Sequence, residues 1–250
     1  MRLALLSDLH ANLHALKACM QHAKTQGAQQ FAFLGDLVGY CAYPSEVVQT
    51  VIEAQKAGAW VLQGNHDAMA VKPPVESKDH GSNSASWTHQ HLSASERGYL
   101  ASLPMHVEFD GYLLVHASAH SPEKWPYVDS ELKAQICLNA AVEKFQSKGV
   151  FVGHVHHQAL YYQGAGRALM KFEPQAGTAI PVPRSRKFVA TVGSVGQPRD
   201  GDTRAMYALL DTDSSRLTYH RVVYDHQAAA AAIRLVGLPN YFAERLEFGV

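Results

Sequence analysis

The sequence predicts an α/β fold in which parallel strands come first and an antiparallel-rich sheet follows. Three features lead there. Over residues 2–62, apolar runs alternate with segments of helical apolar spacing. The resulting order of strand, helix, strand, helix, strand calls for parallel strands joined by right-handed crossovers. Asp110-Gly111 then separates two apolar runs, which is a hairpin signal. From residue 150 onward, short strand-like runs are divided by Gly, Pro and Asp turns.

Each element can be justified in order. Residues 2–7 are apolar up to Ser7 and Asp8 and read as a buried strand. Leu13, Leu16, Met20 and Ala23 give a helix over 12–26, with Asn12 as a cap rather than a ligand and Gly27 as its end. Residues 30–34 are a second strand, stopped by Gly35-Asp36. Pro44-Ser45-Glu46 opens a helix carried by Val47, Val48, Val51 and Ile52 to about Lys56. Residues 59–62 are a third strand, ended by Gly64-Asn65-His66-Asp67. The polar stretch 72–83 reads as a loop, and 84–92 and 95–103 as short helices. Strands are expected at 105–109 and 112–116, a long helix over 130–148, and a buried strand at 150–152. Further strands follow at 160–162, 168–172, 179–182, 188–192, 205–210 and 217–223, with helices at 228–236 and 239–246. With no internal repeat and no low-complexity linker, one domain over 1–250 is the simpler reading.

Bulk composition narrows the partners. At 250 residues with 47% hydrophobic and 18% charged, the chain is ordinary for a globular fold and can bury a full core. A formal net charge of +0 and the lack of a basic arm give no electrostatic case for nucleic acid or anionic membrane as a partner. No apolar stretch is long enough for a bilayer span. The run Met1 to Leu6 meets Asp8 too soon for a signal-peptide core, so a cytoplasmic location is expected. Cys19, Cys41 and Cys137 are scattered and odd in number, which suits reduced thiols.

The chemistry lies at the strand ends, where open α/β sheets bind ligands. Strand one ends in Asp8 and His10, strand two in Asp36, and strand three in Asn65 and His66. The strand at 112 ends in His116, and the strand at 150 delivers His154 and His156. Two histidines one residue apart on an extended backbone point the same way and can place two imidazole nitrogens on one small volume. Carboxylate, amide oxygen and imidazole without thiolate suit Mn, Fe, Zn, Ni or Co rather than Ca or Mg alone. Leaving His66 aside, seven such ligands are too many for one ion and right for two, and Asp36 is the natural bridging carboxylate. Two ions roughly 3.5–4 Å apart form a clamp for phosphoryl displacement.

The motifs Asp8-Leu9-His10, Gly35-Asp36, Gly64-Asn65-His66-Asp67, Val115-His116 and Gly153-His154-Val155-His156 follow one another in an order that resembles the calcineurin-like metallophosphoesterases. The similarity extends toward that family's small bacterial and archaeal phosphodiesterase branch. Gly193 to Asp200 looks like its glycine-serine turn, and Gly237-Leu238-Pro239 like its C-terminal tail, so nearly the whole chain is covered. The resemblance implies a four-layer α/β/β/α sandwich with two mixed sheets. It implies two divalent metal ions, manganese favoured. Asp8, His10, Asp36 and His156 would surround one ion, and Asp36, Asn65, His116 and His154 the other, so that His154 and His156 serve different ions. It implies His66 as the group facing substrate, as general acid or phosphate contact, with Asp67 orienting it. The activity implied is that of a metal-dependent phosphodiesterase in which a metal-bridging hydroxide attacks phosphorus in line. The substrate would be small and phosphorylated, a nucleotide among the options.

Departures from the family pattern bear on substrate choice. No arginine follows Gly35-Asp36, which favours a monoanionic diester over a dianionic monoester, although Arg184, Arg186, Arg199 or Arg204 could enter from a loop. Ala117, Thr191-Val192 and Cys41 also depart from it. Hydrolysis of dinucleoside polyphosphates or phosphomonoesters is the runner-up, and a non-catalytic binding scaffold the reading from another class. Scaffolds of that kind lose ligands, whereas here all seven and His66 remain. His14, His22, His80, His89, His91, His106, His157, His220 and His226 match no motif and read as surface or core, and His120 is a candidate pocket lining. Trp87, Trp125 and Tyr127 could stack a nucleobase, although aromatic residues are more often packing residues.

Overall fold

The computed structural model describes residues 1–74, 80–164, 166 and 168–250. The strands are β1 (Arg2–Leu6), β2 (Gln30–Phe33), β3 (Trp60–Val61), β4 (His106–Phe109), β5 (Tyr112–Val115), β6 (Gly149–Val152), β7 (Gln158–Gln163), β8 (Leu169–Phe172), β9 (Ala179–Pro181), β10 (Phe188–Val192), β11 (Ala205–Asp211) and β12 (Arg216–Val222). The helices are α1 (Leu13–Thr25), α2 (Pro44–Lys56), α3 (Asn65–Val71), α4 (His80–His91), α5 (Ala94–Ser102), α6 (Glu131–Phe145), α7 (His226–Leu235) and α8 (Asn240–Phe248).

Two six-stranded mixed sheets result, ordered β3-β2-β1-β11-β12-β9 and β4-β5-β6-β10-β7-β8. Strands β1, β2 and β3 are parallel, as their crossover helices require. β5, β6 and β10 are likewise parallel in the second sheet. The late strands do not form a sheet of their own, as the sequence pattern suggested. β11 pairs antiparallel with β1 and extends the first sheet, while β10 and β7 extend the second. Apolar patterning marks a strand but carries no record of its partner, because pairing is non-local.

Period-two alternation builds the layers. From β1, Ala4 and Leu6 face a core shared with Leu16 and Cys19 of α1, Val47 and Val51 of α2, and Ile233 and Phe242 of the C-terminal helices. Leu3 and Leu5 face the opposite way, against Tyr112, Leu114, Phe151 and Phe188 of the second sheet. Val150 and Val152 then turn outward from β6 onto Ala134, Cys137 and Leu138 of α6. The succession is helix, sheet, sheet, helix. Phe151 is 0% exposed between the sheets, so Phe151→Ala would cost about 3–5 kcal/mol.

Two local features differ from expectation. Of the loop expected over 72–83, residues 75–79 lie outside the described residues, and α4 already begins at His80. Helix α3 opens within the Gly64 to Asp67 motif itself. Its seven residues are too few to show an apolar stripe, and its start is fixed by Asp67, whose Oδ2 accepts from the Gly64 N–H at 2.8 Å.

Candidate metal centre

The carboxyl ends of β1, β2 and β3 meet those of β5 and β6, and every motif residue lies at that junction. The Gly153 N–H donates to the His116 carbonyl at 2.8 Å between the ends of β6 and β5, and the His154 N–H donates to Asp8 Oδ2 at 2.9 Å, which ties the second sheet to the first. Gly153 has to be glycine, since a Cβ there would come within 1.8 Å of Ser7 Oγ. At Gly64 a Cβ would lie 2.2 Å from Asp36 Oδ1.

Five of the motif residues adopt left-handed backbone: Asp8 (φ 54), His10 (φ 48), Asp36 (φ 52), His154 (φ 66) and His156 (φ 60). Asp and His tolerate this region better than most residues, yet each instance costs about 1–3 kcal/mol. The chain thus turns a side chain inward at each strand end. His154 and His156 therefore do not use the extended backbone expected of them, because β6 stops at Val152 and both histidines lie in the turn beyond it.

The side chains converge in three overlapping groups, each with its ligand atoms within 4.8 Å of one another: Asp8, His10 and His156; His10, Asp36 and His66; Asp36, His116 and His154. His156 Nε2 is 3.2 Å from Asp8 Oδ1. Asp36 Oδ2 lies 3.8 Å from His10 Nε2 and 3.4 Å from His116 Nε2. Asn65 Oδ1 is 3.1 Å from His116 Nε2. The Asp36 carboxylate also accepts the His66 N–H through Oδ1 at 2.8 Å.

Hydrogen bonding fixes two tautomers. His10 Nδ1 faces the Val38 carbonyl at 3.2 Å, and His156 Nδ1 faces the Gln197 carbonyl at 2.6 Å. A carbonyl only accepts, so each Nδ1 carries the proton. Burial, joined by mutual repulsion, pushes the His10 pKa well below its ordinary value, and burial lowers that of His156, so both rings are neutral. Their Nε2 lone pairs then oppose each other at 3.0 Å with no proton between them, beside the Asp8 and Asp36 carboxylates. A divalent cation turns that repulsion into coordination, and Nδ1–H to carbonyl bonds are the usual outer support of a histidine ligand. The donor set fits a metal.

The other groups agree with that chemistry. Burial raises the Asp8 and Asp36 pKa values, but the surrounding histidines overcome it and hold both carboxyls below their usual range. Burial lowers the His116 pKa, but the neighbouring Asp36 carboxylate raises it to about 9, so a proton sits where a cation would. His154 is pushed down to about 4 by burial and by His116, and its buried Nε2 has no hydrogen-bond partner.

His66 is 6% exposed, its ring 5.0 Å from that of His10 and its Nδ1 without a partner. Asp67 does not orient this ring directly, as the sequence reading had it. Its Oδ1 accepts from the Leu37 and Val38 N–H groups at 2.9 and 3.3 Å, and Oδ2 accepts from Gly64, so it clamps the Asp36 loop to the start of α3. Asn12 caps α1 by accepting from the Ala15 N–H at 3.1 Å. Cys41 is buried in the outer core with its pKa raised by burial, which makes it a packing thiol. His120 is exposed and joins none of the three groups.

Tyr40 and Arg245 escaped the sequence reading, whereas Arg199 is one of the arginines expected to enter from a loop. Tyr40 packs its ring against His66 at 4.4 Å and His10 at 4.5 Å, and the Arg199 guanidinium lies 5.9 Å above it. Arg199 donates to Gln197 Oε1 from Nη2 at 2.9 Å, and Arg245 of α8 donates to the same oxygen at 3.3 Å. Among the described residues, neither arginine has a carboxylate within 4.0 Å. The Gly193 to Asp200 turn signalled Arg199, but nothing in the sequence signalled Arg245.

The sequence pattern of the calcineurin-like phosphoesterase superfamily domain matches residues 1–215. A metallophosphoesterase from Sphaerobacter thermophilus is 33% identical with a TM-score of 0.86, the alignment covering 100% of this chain and 99% of that one. An uncharacterised protein of Methanocaldococcus jannaschii is 29% identical over 255 residues, 99% of this chain and 98% of its own. A hypothetical protein from Pyrococcus horikoshii shares the fold at 20% identity, with a TM-score of 0.78 and coverage of 100% and 98%.

Proposed function

The chain belongs to the calcineurin-like phosphoesterase superfamily and is a phosphate-ester hydrolase, and within that class we propose a phosphodiesterase that works with two divalent metal ions. The observation that carries the two-ion reading is the opposition of the His10 and His156 Nε2 lone pairs at 3.0 Å beside buried carboxylates, with a second group around Asp36, His116 and His154. Asp8, His10, Asp36 and His156 would hold one ion, and Asp36, Asn65, His116 and His154 the other, manganese being the favoured metal. When bound, such a pair supplies charge neutralisation for the phosphate and activation of the attacking water.

The chain's own residues do the rest. Asp36 lies within 4 Å of histidines from both sets and is placed to be shared. His66 is held by its N–H bond to Asp36 Oδ1 and is the group we assign to the leaving oxygen. Asp67 holds the two loops that carry Asp36 and His66 at a fixed separation, a positioning role. Tyr40 closes the site beside His10 and His66.

Arg199 favours a second reading. The absence of arginine after Gly35-Asp36 argued for a monoanionic diester, but Arg199 enters at the Tyr40 ring with Arg245 behind it. Two guanidiniums without carboxylate partners suit a more highly charged substrate, a phosphomonoester or a dinucleoside polyphosphate. Turnover of bis-p-nitrophenyl phosphate, p-nitrophenyl phosphate and a dinucleoside tetraphosphate with Mn²⁺, repeated after chelation, separates these. Diester turnover that chelation abolishes is the expected result. Strong monoester turnover with none of the diester overturns the diester assignment, and unchanged turnover after chelation overturns the metal assignment.

A further inference from the structure

We propose that the cleft beside the metal centre binds the nucleobase of a nucleotide substrate, with Trp125 and Tyr127 as the stacking surfaces. The inference rests on the phosphoester-hydrolase reading above and specifies its substrate class. The cleft has a volume of about 520 Å³ and is lined by Asn65, Met69, Lys72, Trp125, Tyr127 and His154, among others. That volume falls in the ~300–1,000 Å³ range of small-molecule sites. Asn65 and His154 are candidate metal ligands, so a molecule lying in the cleft reaches the centre with its phosphate end.

Tyr127 is displayed rather than packed away, and Trp125 is half-buried. Tyr127 stacks on His154 with ring centroids 4.0 Å apart and planes at 19°, yet it is 49% exposed, which leaves its other face to the cleft. Trp125 meets His116 edge-on at 5.8 Å and 73°. Its backbone is left-handed at φ 53, and Ser121, at the other end of the 3₁₀ turn Pro122–Lys124, is left-handed at φ 51. Tryptophan has no local means of favouring that conformation, so the turn holds it there against strain. Trp87, by contrast, stacks on His91 at 3.8 Å within α4 and packs on the outer core.

Flat faces beside a phosphate site fit a nucleobase better than an aliphatic chain, because every base presents a π-face and stacking tolerates any base. The Lys72 ammonium stem lines the same cleft and suits an anionic ligand. An extended lipid or peptide substituent would use the apolar area without needing either ring.

The test measures binding rather than turnover. Manganese-loaded protein is titrated calorimetrically with AMP and with ribose 5-phosphate, which carries a hydroxyl where AMP carries the base. AMP is expected to bind tighter by about 5- to 150-fold, the range of a single base stack. Trp125→Leu and Tyr127→Ala should each reduce that preference, and Tyr127→Phe should retain it. Manganese content measured on each variant shows that the centre is intact. Equal affinity for the two ligands in the wild type overturns the base site while leaving the hydrolase reading in place. A preference that survives both changes, or a parallel weakening of both ligands, also overturns it. If neither ligand binds, the phosphate site itself fails and this inference falls with it.

Discussion

Two histidine clusters lie against the first sheet, and only one has the ligand geometry to hold a metal. At the strand ends, His10 and His156 direct their Nε2 atoms at each other and at Asp8 and Asp36. On the helix-covered face, His22 of α1 and His220 of β12 enclose Tyr207 of β11. His22 Nδ1 bonds the tyrosine hydroxyl at 2.8 Å, and His220 stacks on its ring at 4.7 Å and 16°. No carboxylate joins His22 and His220 in a ligand group among the described residues. A cavity of about 820 Å³ opens beside them, larger than the cleft at the metal centre. Histidine content and cavity size therefore do not mark the proposed reactive site. Convergence of lone pairs and negative charge on one point does, because burying opposed acceptors is costly unless a cation joins them.

The sharpest way to break this contrast is Asp36→Asn. The change keeps the shape and removes the charge both groups share. Metal analysis after gel filtration should show loss of manganese, and activity should fall by more than ~100-fold, the upper end for outer-shell changes. In wild-type protein, manganese at 100 times its Kd should add about 2.7 kcal/mol of stability, and in the variant much less. His220→Phe should leave the metal content at the wild-type value. Metal loss in His220→Phe, or full retention in Asp36→Asn, would erase the distinction between the clusters.

His66 tests the boundary of the first cluster. Its ring groups geometrically with His10 and Asp36, so it could be a ligand rather than the residue that meets substrate. His66→Ala is expected to keep both metals and lose about 10²–10⁴-fold in kcat, the range of a general acid–base residue. Loss of one metal equivalent on elemental analysis would instead move His66 into the ligand set.

The fold class and the strand-end residues were legible in the sequence because both follow local rules. Unbroken apolar runs in β1 and β6 mark strands buried on both faces, and the polar residues that follow apolar strands at Asp8, Asp36 and His154 stand out at the strand ends. What the sequence hid is non-local or conformational. The division of β9, β10, β11 and β12 between two sheets depends on partners far along the chain. Helix α3 is too short to display a period. The left-handed turns at His154 and His156 replace an extended pair, and Asp67 bonds three backbone amides rather than the ring next to it. Arg245 reaches Gln197 from a terminal helix that no motif connects to the site.

The smallest expected effect concerns the second cluster alone and reads its pH dependence. Burial, joined by the proximity of His22, pushes the His220 pKa from 6.5 down to about 4. Between those values the unfolded chain takes up a proton that the folded chain refuses. Stability from this group is therefore complete above pH 6.5 and declines as pH falls toward 4. The shift corresponds to roughly 1–2 kcal/mol once partial solvent screening is allowed for. His220 Nε2 is buried without a partner, so a phenyl ring at this position removes an unsatisfied group and should be close to neutral at pH 7.5. Urea midpoints of chelated wild type and His220→Phe, compared at pH 7.5 and 4.5, should show a smaller acid loss in the variant. Equal losses would mean that His220 is as readily protonated in the folded protein as in the unfolded chain.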